Sequence, residues 1–531
     1  MIKLLMKFNI NRPMVIWLII ISLAIFLRFY NYPNFLYFIN DQGRDALKLK
    51  SIVEGDLTLI GPTSGLPGFF LGPLWYYVGV PGYILSSGSP YGISLWYIFL
   101  ASLAIPFFIL IAKKLFAKEQ MWQALTFSFL VFLPASINGS TFIWNPLLSI
   151  PLMAAAIYFL FLARSSRIAL FLAFLTLGFV LHSEFAYGIF ILPALFVLVF
   201  WLRKKLAILD YLIAGTAIVI TLIPQILFEI KNNFLMSKSL IQGITSGETA
   251  ISLFSLWSRR PGQLFSTTQE LFFGRSEAAS ILMLIVGTII VYGIYQAFKK
   301  KSHEWQIVAL ISVIPYFGYM FWKGNYGNFF SYYMTPHFIP LVLIFIFGLK
   351  ELLGHKKIKK VPYCAPALIG TILAFALINA YAAVLKPDNE AGLRTITTAN
   401  SKILDYQIAD QQSIALTTNS TYDSVVMTFT PNYLTAQYDF SMQWLAKMRN
   451  LPIPDTQLQV EDEIVYIIVE PDREIPEKRF SPWYQRVSEN RVRIRKEKVG
   501  ILLLETWVLS DFALQNKLPI YQESIAEQMC W

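Results

Sequence analysis

Five charged residues stand close together after the first apolar segment of the chain. Asp41, Arg44, Asp45, Lys48 and Lys50 lie in NDQGRDALKLK, and the neighbouring segments carry almost no charge. Charge beside a lipid bilayer is costly unless it faces water or a polar ligand. Carboxylates can accept protons, and basic side chains can bind phosphate. This segment is therefore the first candidate for the place where the chain does chemistry.

The composition is typical of a multi-span α-helical membrane protein. Of the 531 residues, 56% are hydrophobic and only 15% are charged, whereas a soluble domain carries about 25%. The net charge is +11, but the basic residues cluster between apolar runs, which is the positive-inside pattern and not that of a nucleic-acid groove. The two cysteines, Cys364 and Cys530, do not fit a disulfide framework, a zinc motif or a CxxC pair.

Eleven apolar runs are long enough, or nearly so, to cross a membrane as helices. They lie near 13–30, 91–112, 121–137, 144–163, 168–182, 185–202, 207–228, 278–298, 305–322, 336–353 and 361–385. Every second connection is basic, which places those connections and the N-terminus in the cytoplasm. The apolar segment Phe69–Ser86 is interrupted by Pro73 and Pro81, so we interpret it as re-entrant or interfacial, within a first external loop over residues 31–90.

The composition changes after residue 385, where long apolar runs stop. Strand-like runs lie at Ser424–Thr430, Ile464–Val469 and Val499–Leu509. A helical period covers Tyr433–Arg449. The pattern predicts a transmembrane domain over residues 1–385 and a C-terminal soluble α/β domain over residues 386–531, which the predicted topology places outside the cytoplasm.

The same topology gathers acidic, imidazole, amide and tyrosine side chains on the outer face. Besides the segment with Asp41, the predicted outer connections are Asn138–Asn145, the turn with His182 and Glu184, Glu229–Glu277 with Arg259 and Arg260, and Lys323–His337 with Tyr333. The connections predicted to be cytoplasmic hold mainly Lys and Arg. Groups that bind sugars and move protons thus collect on one side, which predicts that a reaction takes place there.

The first external loop resembles that of the GT-C glycosyltransferases, and more narrowly that of the protein-mannosyltransferase and aminoarabinose-transferase branch often labelled glycosyltransferase family 39. The resemblance rests on DQGRDA and EGDLTLIGPTSGLPGFFLGPLWYY. Asp41 falls on the family's aspartate and Ala46 on its alanine, while Gly55-Asp56 and Gly72-Pro73-Leu74 fall on the later parts. A weaker likeness runs through FIWNP, LHSEF and YYMTPHFIP, within residues 1–385.

This resemblance implies an inverting transfer of a sugar from a polyprenyl-phosphate donor to an acceptor on the outer face of the cytoplasmic membrane. Asp41 would be the general base that deprotonates the acceptor hydroxyl. Gln42 stands where the family usually has a second acid, and Asp45 where an aromatic is common, so a divalent-metal site on two adjacent acids is not supported. The phosphate leaving group needs cations. The candidates near the outer leaflet are Arg44, Lys48, Lys231, Arg259, Arg260 and Lys323.

Simpler structural roles remain open for the candidate site residues. Asp41 and Asp45 also fit solvated acids on an amphipathic helix, paired with neighbouring basic residues. His182 and Glu184 also fit a polar helix terminus, and His337 fits the boundary of a span.

Two residues fit structural roles better than ligand roles. Asn145 precedes a proline and fits a helix start. Tyr333 fits an aromatic belt at the membrane interface better than a sugar-stacking surface, although substrate contact remains an alternative.

Two other functions compete with the glycosyltransferase hypothesis. A transporter or flippase of lipid-linked glycans would place ionisable residues at mid-membrane and have broken helices in repeated halves, whereas here the charges lie at span ends and no repeat is visible. A glycan ligase or polymerase would take a lipid-linked oligosaccharide in place of one sugar, and the sequence does not separate it from a transferase. No motif encodes the donor sugar or the acceptor.

Overall fold

The computed structural model describes most of the chain. The described residues are 12–202, 207–245, 252–274, 279–323, 328–355, 392–418, 423–430, 435–459, 461–470 and 486–518, with a few single residues between 370 and 378 and residue 520.

Helices dominate the described residues up to 355. Runs of Leu, Ile, Phe and Ala place the chain in an environment without water, so the backbone N–H and C=O groups must bond one another within a helix. The helices are α1 (Arg12–Phe29), α2 (Tyr32–Phe35), α3 (Asn40–Val53), α4 (Leu74–Leu85), α5 (Pro90–Ser102), α6 (Ala104–Leu115), α7 (Gln120–Phe132), α8 (Pro134–Thr141), α9 (Ser149–Ala163), α10 (Arg167–Ser183), α11 (Phe185–Leu202), α12 (Ile208–Lys231), α13 (Leu235–Thr245), α14 (Leu253–Phe273), α15 (Ser280–Lys299), α16 (His303–Phe321) and α17 (Phe338–Gly354). Two 3₁₀ turns, Asn145–Leu148 and Ser331–His337, precede α9 and α17.

The described helices support a multi-pass membrane protein. Six are long and apolar enough to cross a membrane: Pro90–Leu115, Asn145–Ala163, Ile208–Lys231, Ser280–Lys299, His303–Phe321 and Ser331–Gly354. The pair α7 and α8, bent by 46°, is a seventh candidate, and three further apolar helices are shorter. Ten of the eleven predicted runs overlap these helices, whereas 361–385 lies almost wholly outside the described residues. The count of eleven spans therefore stays a prediction.

The segment Phe69–Ser86, interpreted above as re-entrant or interfacial, contains a helix. It includes α4, which tolerates Pro81 in its interior and ends before a turn at Ser87 and Gly88, both with positive φ. Its position relative to a membrane stays a prediction.

A buried arginine stabilises the break between α7 and α8. Pro134 has no backbone N–H, so the helix cannot continue its hydrogen-bond ladder unchanged. Arg28, near the end of α1 and only 2% exposed, donates to the Val131 carbonyl at 3.3 Å and to Oγ of Ser136 at 2.8 Å. It also donates to the carbonyl of Ala24 at 2.9 Å. The guanidinium thereby satisfies backbone groups that the break exposes.

Ion pairs join the basic connections that the sequence predicts on the cytoplasmic side of the membrane. Lys300 bonds Glu351 at 2.6 Å, and Arg167 bonds Asp210 at 3.1 Å. Lys350 pairs with Glu119, which directly precedes α7. The acids in these connections thus pair with the basic residues around them.

Among the described residues of the C-terminal part are four strands and three helices. They are α18 (Leu393–Thr418), β1 (Ser424–Phe429), α19 (Ala436–Met448), β2 (Ile464–Val469), β3 (Arg491–Val499), β4 (Leu502–Leu509) and α20 (Ser510–Gln515). The strands form one mixed sheet in the order β1-β2-β4-β3, with β1 and β2 parallel and the other neighbours antiparallel. Every residue of β2 is buried, which explains its continuous apolar sequence.

The predicted strands and helix of this part agree with the structure, apart from β3. The predicted run Val499–Leu509 covers β4 and the end of β3, which are separate strands joined at Gly500. The sequence of β3, RVRIRKEKV, carries too many charges to be recognised as a strand. In the structure three of these charges are held in ion pairs: Arg493 with Glu505, Arg495 with Asp410 and Glu497 with Lys402.

The described chain divides into two compact units. The first comprises residues 1–30, 56–79 and 95–385, and the second comprises residues 31–55, 80–94 and 386–531. Two pieces of the predicted first external loop therefore pack with the C-terminal region. The boundary at 385 lies outside the described residues and stays a prediction.

Glycines let α15 and α17 approach within backbone contact. A Cβ on Gly348 would lie 2.3 Å from the carbonyl oxygen of Ile289, and one on Gly293 would lie 2.4 Å from that of Ile344. Small residues are the usual means of close helix packing in membranes, because van der Waals contact replaces the missing hydrophobic force.

Substitution of Gly348 by alanine should destabilise the protein. The added methyl group meets backbone that cannot move aside, so we expect a loss of about 1–3 kcal/mol, measured as a lower thermal midpoint in detergent. Gly287→Ala on α15 is the matched control, since a Cβ there meets nothing within 4 Å. Equal midpoints for the two variants would contradict this packing.

Candidate active site

The acidic cluster lies at the start of α3, in the second unit. The backbone N–H of Ile39 donates to Oε1 of Gln42 at 2.9 Å, which is one half of a capping box. Asp41 lies in the first turn, where the helix dipole favours a negative charge. The local sequence therefore favours a helix that begins at Asn40 and has Asp41 in its first turn.

Arg44 lies between the two acids. Its Nη1 donates to Oδ1 of Asp41 at 3.0 Å, and its Nη2 donates to Oδ1 of Asp45 at 2.8 Å. The Asp45 carboxylate is buried, whereas 47% of the Asp41 side chain is exposed. Lys48 follows one turn later and is half-buried. The structure thus brings Asp41, Arg44 and Asp45 together as an ion-paired group in which Asp41 is the accessible acid.

Gln42 occupies the position where the resembling family usually has a second acid. It is 5% exposed, and its amide oxygen accepts from the helix start. Its role is therefore helix capping. Within the described part of the chain, no three His, Cys, Asp or Glu side chains form a group that fits a metal ion.

Residues 61–72 of the first unit form a tight hairpin. Gly61 N–H donates to the Leu71 carbonyl at 2.8 Å, and Leu71 N–H donates to that of Pro62 at 2.9 Å. A Cβ on Gly61 would lie 2.1 Å from the carbonyl oxygen of Gly72, so only glycine fits the crossing. The Gly- and Pro-rich sequence GPTSGLPG is therefore a turn.

The hairpin contacts His182 through Gly72. A Cβ on Gly72 would lie 2.2 Å from Cγ of His182. His182 is 2% exposed, and its ring lies within reach of a hydrogen bond to the backbone of Thr221, although neither ring nitrogen makes a bond of good geometry among the residues described. A buried polar group without a well-formed hydrogen bond lowers stability. His182 therefore remains a candidate for ligand contact in the first unit, a role that stays a prediction.

The turn that contains His182 and Glu184 is fixed by Asn145. The Asn145 amide donates to the Ser183 carbonyl at 2.7 Å, and Ser183 Oγ donates to the Asn145 carbonyl at 2.5 Å. Asn145 is the first residue of the 3₁₀ turn before α9, which agrees with the predicted position, but Trp144 is the N-cap residue and the Asn145 side chain bonds Ser183 instead of capping the turn. Glu184 is 5% exposed. The structure thus brings two of the predicted outer connections into contact.

His337 is fully buried among tyrosines. The Tyr187 hydroxyl lies 3.1 Å from its Nδ1, and the Tyr316 ring lies 5.0 Å away, edge to face. The Tyr316 hydroxyl in turn bonds Oγ1 of Thr268 at 2.6 Å. His337 thus joins the start of α17 to neighbouring helices, which agrees with the boundary role that the sequence left open.

Arg260 and Tyr333 lie in a second buried group. The Arg260 guanidinium donates to the Trp322 carbonyl at 3.1 Å and lies 5.0 Å from the centre of the Phe329 ring. Burial, and then the charge of Arg259, lower the pKa of Arg260 from its usual value. The Tyr319 hydroxyl donates to the Tyr333 carbonyl at 3.2 Å. These contacts give Arg260 a structural role in this arrangement.

Three of the predicted phosphate-binding cations, Lys231, Arg259 and Lys323, are exposed. Within the described part of the chain, Arg259 bonds groups on its own helix: its Nη2 donates to Oγ of Ser255 at 3.1 Å and its Nε to the Ser255 carbonyl at 3.3 Å. Lys323 lies just after α16. Unlike Arg260, all three present their charge to solvent.

A cavity of about 640 Å³ lies among α14, α15, α16 and α17 of the first unit. Its lining is mainly aliphatic and aromatic, with Tyr316 and Thr268 among the few polar side chains. The cavity therefore adjoins the Tyr316–His337 pair.

Two crystal structures of ArnT from Cupriavidus metallidurans are similar to this chain. The apo structure aligns with a TM-score of 0.54 and the structure bound to undecaprenyl phosphate with 0.56, each at 12% identity over 92% of this chain and 97% of that chain. This chain has a GT-C fold. The resemblance inferred from the first external loop is thus confirmed at the level of the fold, and it extends beyond residues 1–385.

Other comparisons add little to the GT-C fold. An oligosaccharyltransferase from Archaeoglobus fulgidus, solved with Zn and sulfate, aligns with a TM-score of 0.47 at 14% identity over 92% of this chain and 72% of that chain, a value too low to establish a shared fold. No protein-family model matches the chain. No curated protein matches it significantly.

The sequence analysis of this GT-C chain did not identify three buried tyrosines that lie near the candidate site residues. Tyr187, Tyr316 and Tyr319 lie inside apolar helical runs, where a tyrosine gives no periodic signal. A buried tyrosine hydroxyl needs a hydrogen-bond partner, which is the one signal that could have identified them. Their partners lie in other helices, so the sequence did not show which groups they bond.

Substitution of Gly72 by alanine should destabilise the first unit through His182. The methyl group would overlap the imidazole, and we expect a loss of about 1–3 kcal/mol, measured as a lower thermal midpoint. The same change in a His182→Ala background should cost much less, because residues in contact are not additive. Additive effects would contradict the contact.

Proposed function

We propose that this chain is an inverting glycosyltransferase that moves a sugar from a polyprenyl-phosphate donor to an acceptor hydroxyl on the outer face of the plasma membrane. We also propose eleven membrane crossings, a cytoplasmic N-terminus and an extracytoplasmic C-terminal region. The GT-C fold supports the class of reaction. That a structural neighbour was solved with undecaprenyl phosphate supports a polyprenyl phosphate as the carrier.

The exposure of Asp41 is the observation that carries the proposal. Arg44 contacts Oδ1 of this carboxylate, and Oδ2 has no hydrogen-bond partner in the part of the chain described. Asp45, in contrast, is buried and held by the same guanidinium. Of the two acids, Asp41 is therefore the one that can take a proton from an acceptor. A positioned carboxylate is an ordinary general base.

The reaction requires one base and a stabilised leaving group. Asp41 removes the hydroxyl proton as the acceptor oxygen attacks the anomeric carbon. The bond from that carbon to the phosphate oxygen breaks on the opposite face, so the configuration inverts. The departing polyprenyl phosphate is an anion, and cations stabilise it better than a proton donor does.

Lys231, Arg259 and Lys323 are the predicted cations of the first unit best suited to the phosphate. All three are exposed, whereas Arg260 is buried with its guanidinium engaged by protein groups. Arg offers two parallel donors to phosphate oxygens, and Lys offers a point charge.

The apolar cavity among α14 to α17 supports a lipid donor. A volume of about 640 Å³ with a mainly aliphatic lining suits part of a prenyl chain.

Removal of the base should abolish transfer. Asp41→Asn keeps the shape and loses the proton acceptor, so we expect activity to fall by about 10²- to 10⁴-fold. The measurement is transfer of label from a panel of undecaprenyl-phosphate-linked hexoses and pentoses into membrane acceptors. Glu54→Gln, an exposed acid after the same helix, is the matched control. Full activity of Asp41→Asn would exclude Asp41 as the base.

Accessibility labelling tests the proposed topology. In a background without Cys364 and Cys530, cysteines at Thr63 and Gln411 should react with a membrane-impermeant maleimide on intact cells. A cysteine at Lys118, in a connection that we assign to the cytoplasm, should react only after lysis. The opposite pattern would reverse the topology.

A further inference from the structure

The helix that carries Asp41 packs against the C-terminal region of the chain. We propose that α19 is a positioning element for α3, and that the contact between them sets the direction in which the Asp41 carboxylate points. This inference rests on the proposed function of Asp41 and assigns a catalytic purpose to residues 386–531.

The buried face of α3 fixes its rotation. Gln42, Asp45, Ala46, Leu49 and Ile52 are buried, and their spacing is that of one helical face. The less buried residues Asp41, Arg44 and Lys48 follow the same spacing on another face. Because the first face is buried, the rotation of α3 is set, and with it the direction in which Asp41, Arg44 and Lys48 point.

Gly43 allows a close approach of α3 and α19. A Cβ at this position would lie 2.2 Å from the backbone nitrogen of Gln437 and 2.3 Å from the carbonyl carbon of Ala436. Both neighbours are backbone atoms at the start of α19, so no side-chain rotation could make room. Glycine costs about 1 kcal/mol relative to alanine inside a helix, and this contact explains its presence between Gln42 and Arg44.

Two further contacts join the same elements on either side of Gly43. The rings of Phe38 and Phe440 lie 6.3 Å apart. Nζ of Lys50 donates to Oε1 of Gln443 at 2.7 Å. Contacts before, within and near the end of α3 resist both sliding and rotation of the helix.

The segment before α3 is held by the start of α18. The N–H of Leu393 donates to the Leu36 carbonyl at 3.1 Å, and Arg394 donates to Oδ1 of Asn34 at 3.2 Å. The chain leading to Asp41 is thus attached to the C-terminal region at two helices.

A charge exchange tests the positioning role. Gln443→Lys places two cations together, which should displace the end of α3 and lower kcat by about tenfold or more while the donor KM changes less than threefold. Lys50→Glu combined with Gln443→Lys restores an attractive pair and should recover kcat to within about threefold of the unaltered chain. Such rescue distinguishes positioning from a general loss of folding.

Gly43→Ala provides a second test on the full-length protein. It should also lower kcat, whereas Gly215→Ala on α12, where a Cβ meets nothing within 4 Å, should not. A spin label on a cysteine at Glu54, in the background without Cys364 and Cys530, reports the mobility of α3 without any substrate. We expect its mobility to rise in Gly43→Ala and in Gln443→Lys.

The outcomes separate this inference from the proposed function. If Asp41→Asn is inactive but Gly43→Ala and Gln443→Lys change neither kcat nor label mobility, the positioning role is wrong and the base assignment survives. A second outcome is that label mobility rises in Gly43→Ala and Gln443→Lys, and that the charge exchange reverses the rise, while Asp41→Asn stays active. In that case α19 does hold α3 in place, but Asp41 is not the base of the proposed reaction. Failure of the exchange to restore kcat or mobility would also overturn the inference.

Discussion

The cost of removing charge from water governs where ionisable side chains lie in the first unit. A charged group inside an apolar helical body is tolerated only with partners. Accordingly, Lys350, Arg167 and Lys300 pair with Glu119, Asp210 and Glu351, and Arg28 is surrounded by carbonyls. The imidazole of His182, in the last turn of α10, and the carboxyl group of Glu184, which follows it, are both buried at the end of that helix.

Close backbone approach is the second determinant of the architecture. The absence of a Cβ lets Gly72 contact the His182 ring, Gly348 contact the backbone of α15, and Gly43 contact the backbone of α19. In each case an absent side chain sets the distance between two elements. Such positions carry no charge and no periodicity, so their importance becomes visible only when the neighbouring backbone is known.

Much of the fold could be predicted from the sequence because membrane helices are encoded by long apolar runs. Ten predicted runs overlap observed helices, and β2 matches its predicted limits, since a fully buried strand must be continuously apolar. The edge strand β3 was missed, because its many charged side chains, which ion pairs hold in the structure, mask the strand pattern.

The candidate site was only partly predictable. Asp41 could be recognised by its position after the first apolar run and by the resemblance of the loop around it. The role of Gln42 as a helix cap, the burial of Arg260 and His337, and the tyrosines around His337 depend on contacts between distant parts of the chain. A single sequence gives residue types and local periods, and these contacts depend on three-dimensional packing.

The contacts of Arg28 have a consequence for biogenesis. Its partners Val131 and Ser136 lie more than one hundred positions later in the chain. When the ribosome has made only α1, the guanidinium has no carbonyls from the later break to bind. We expect the first helix to insert shallowly, with this arginine hydrated at the bilayer surface, and to reach its final depth once α7 and α8 have emerged.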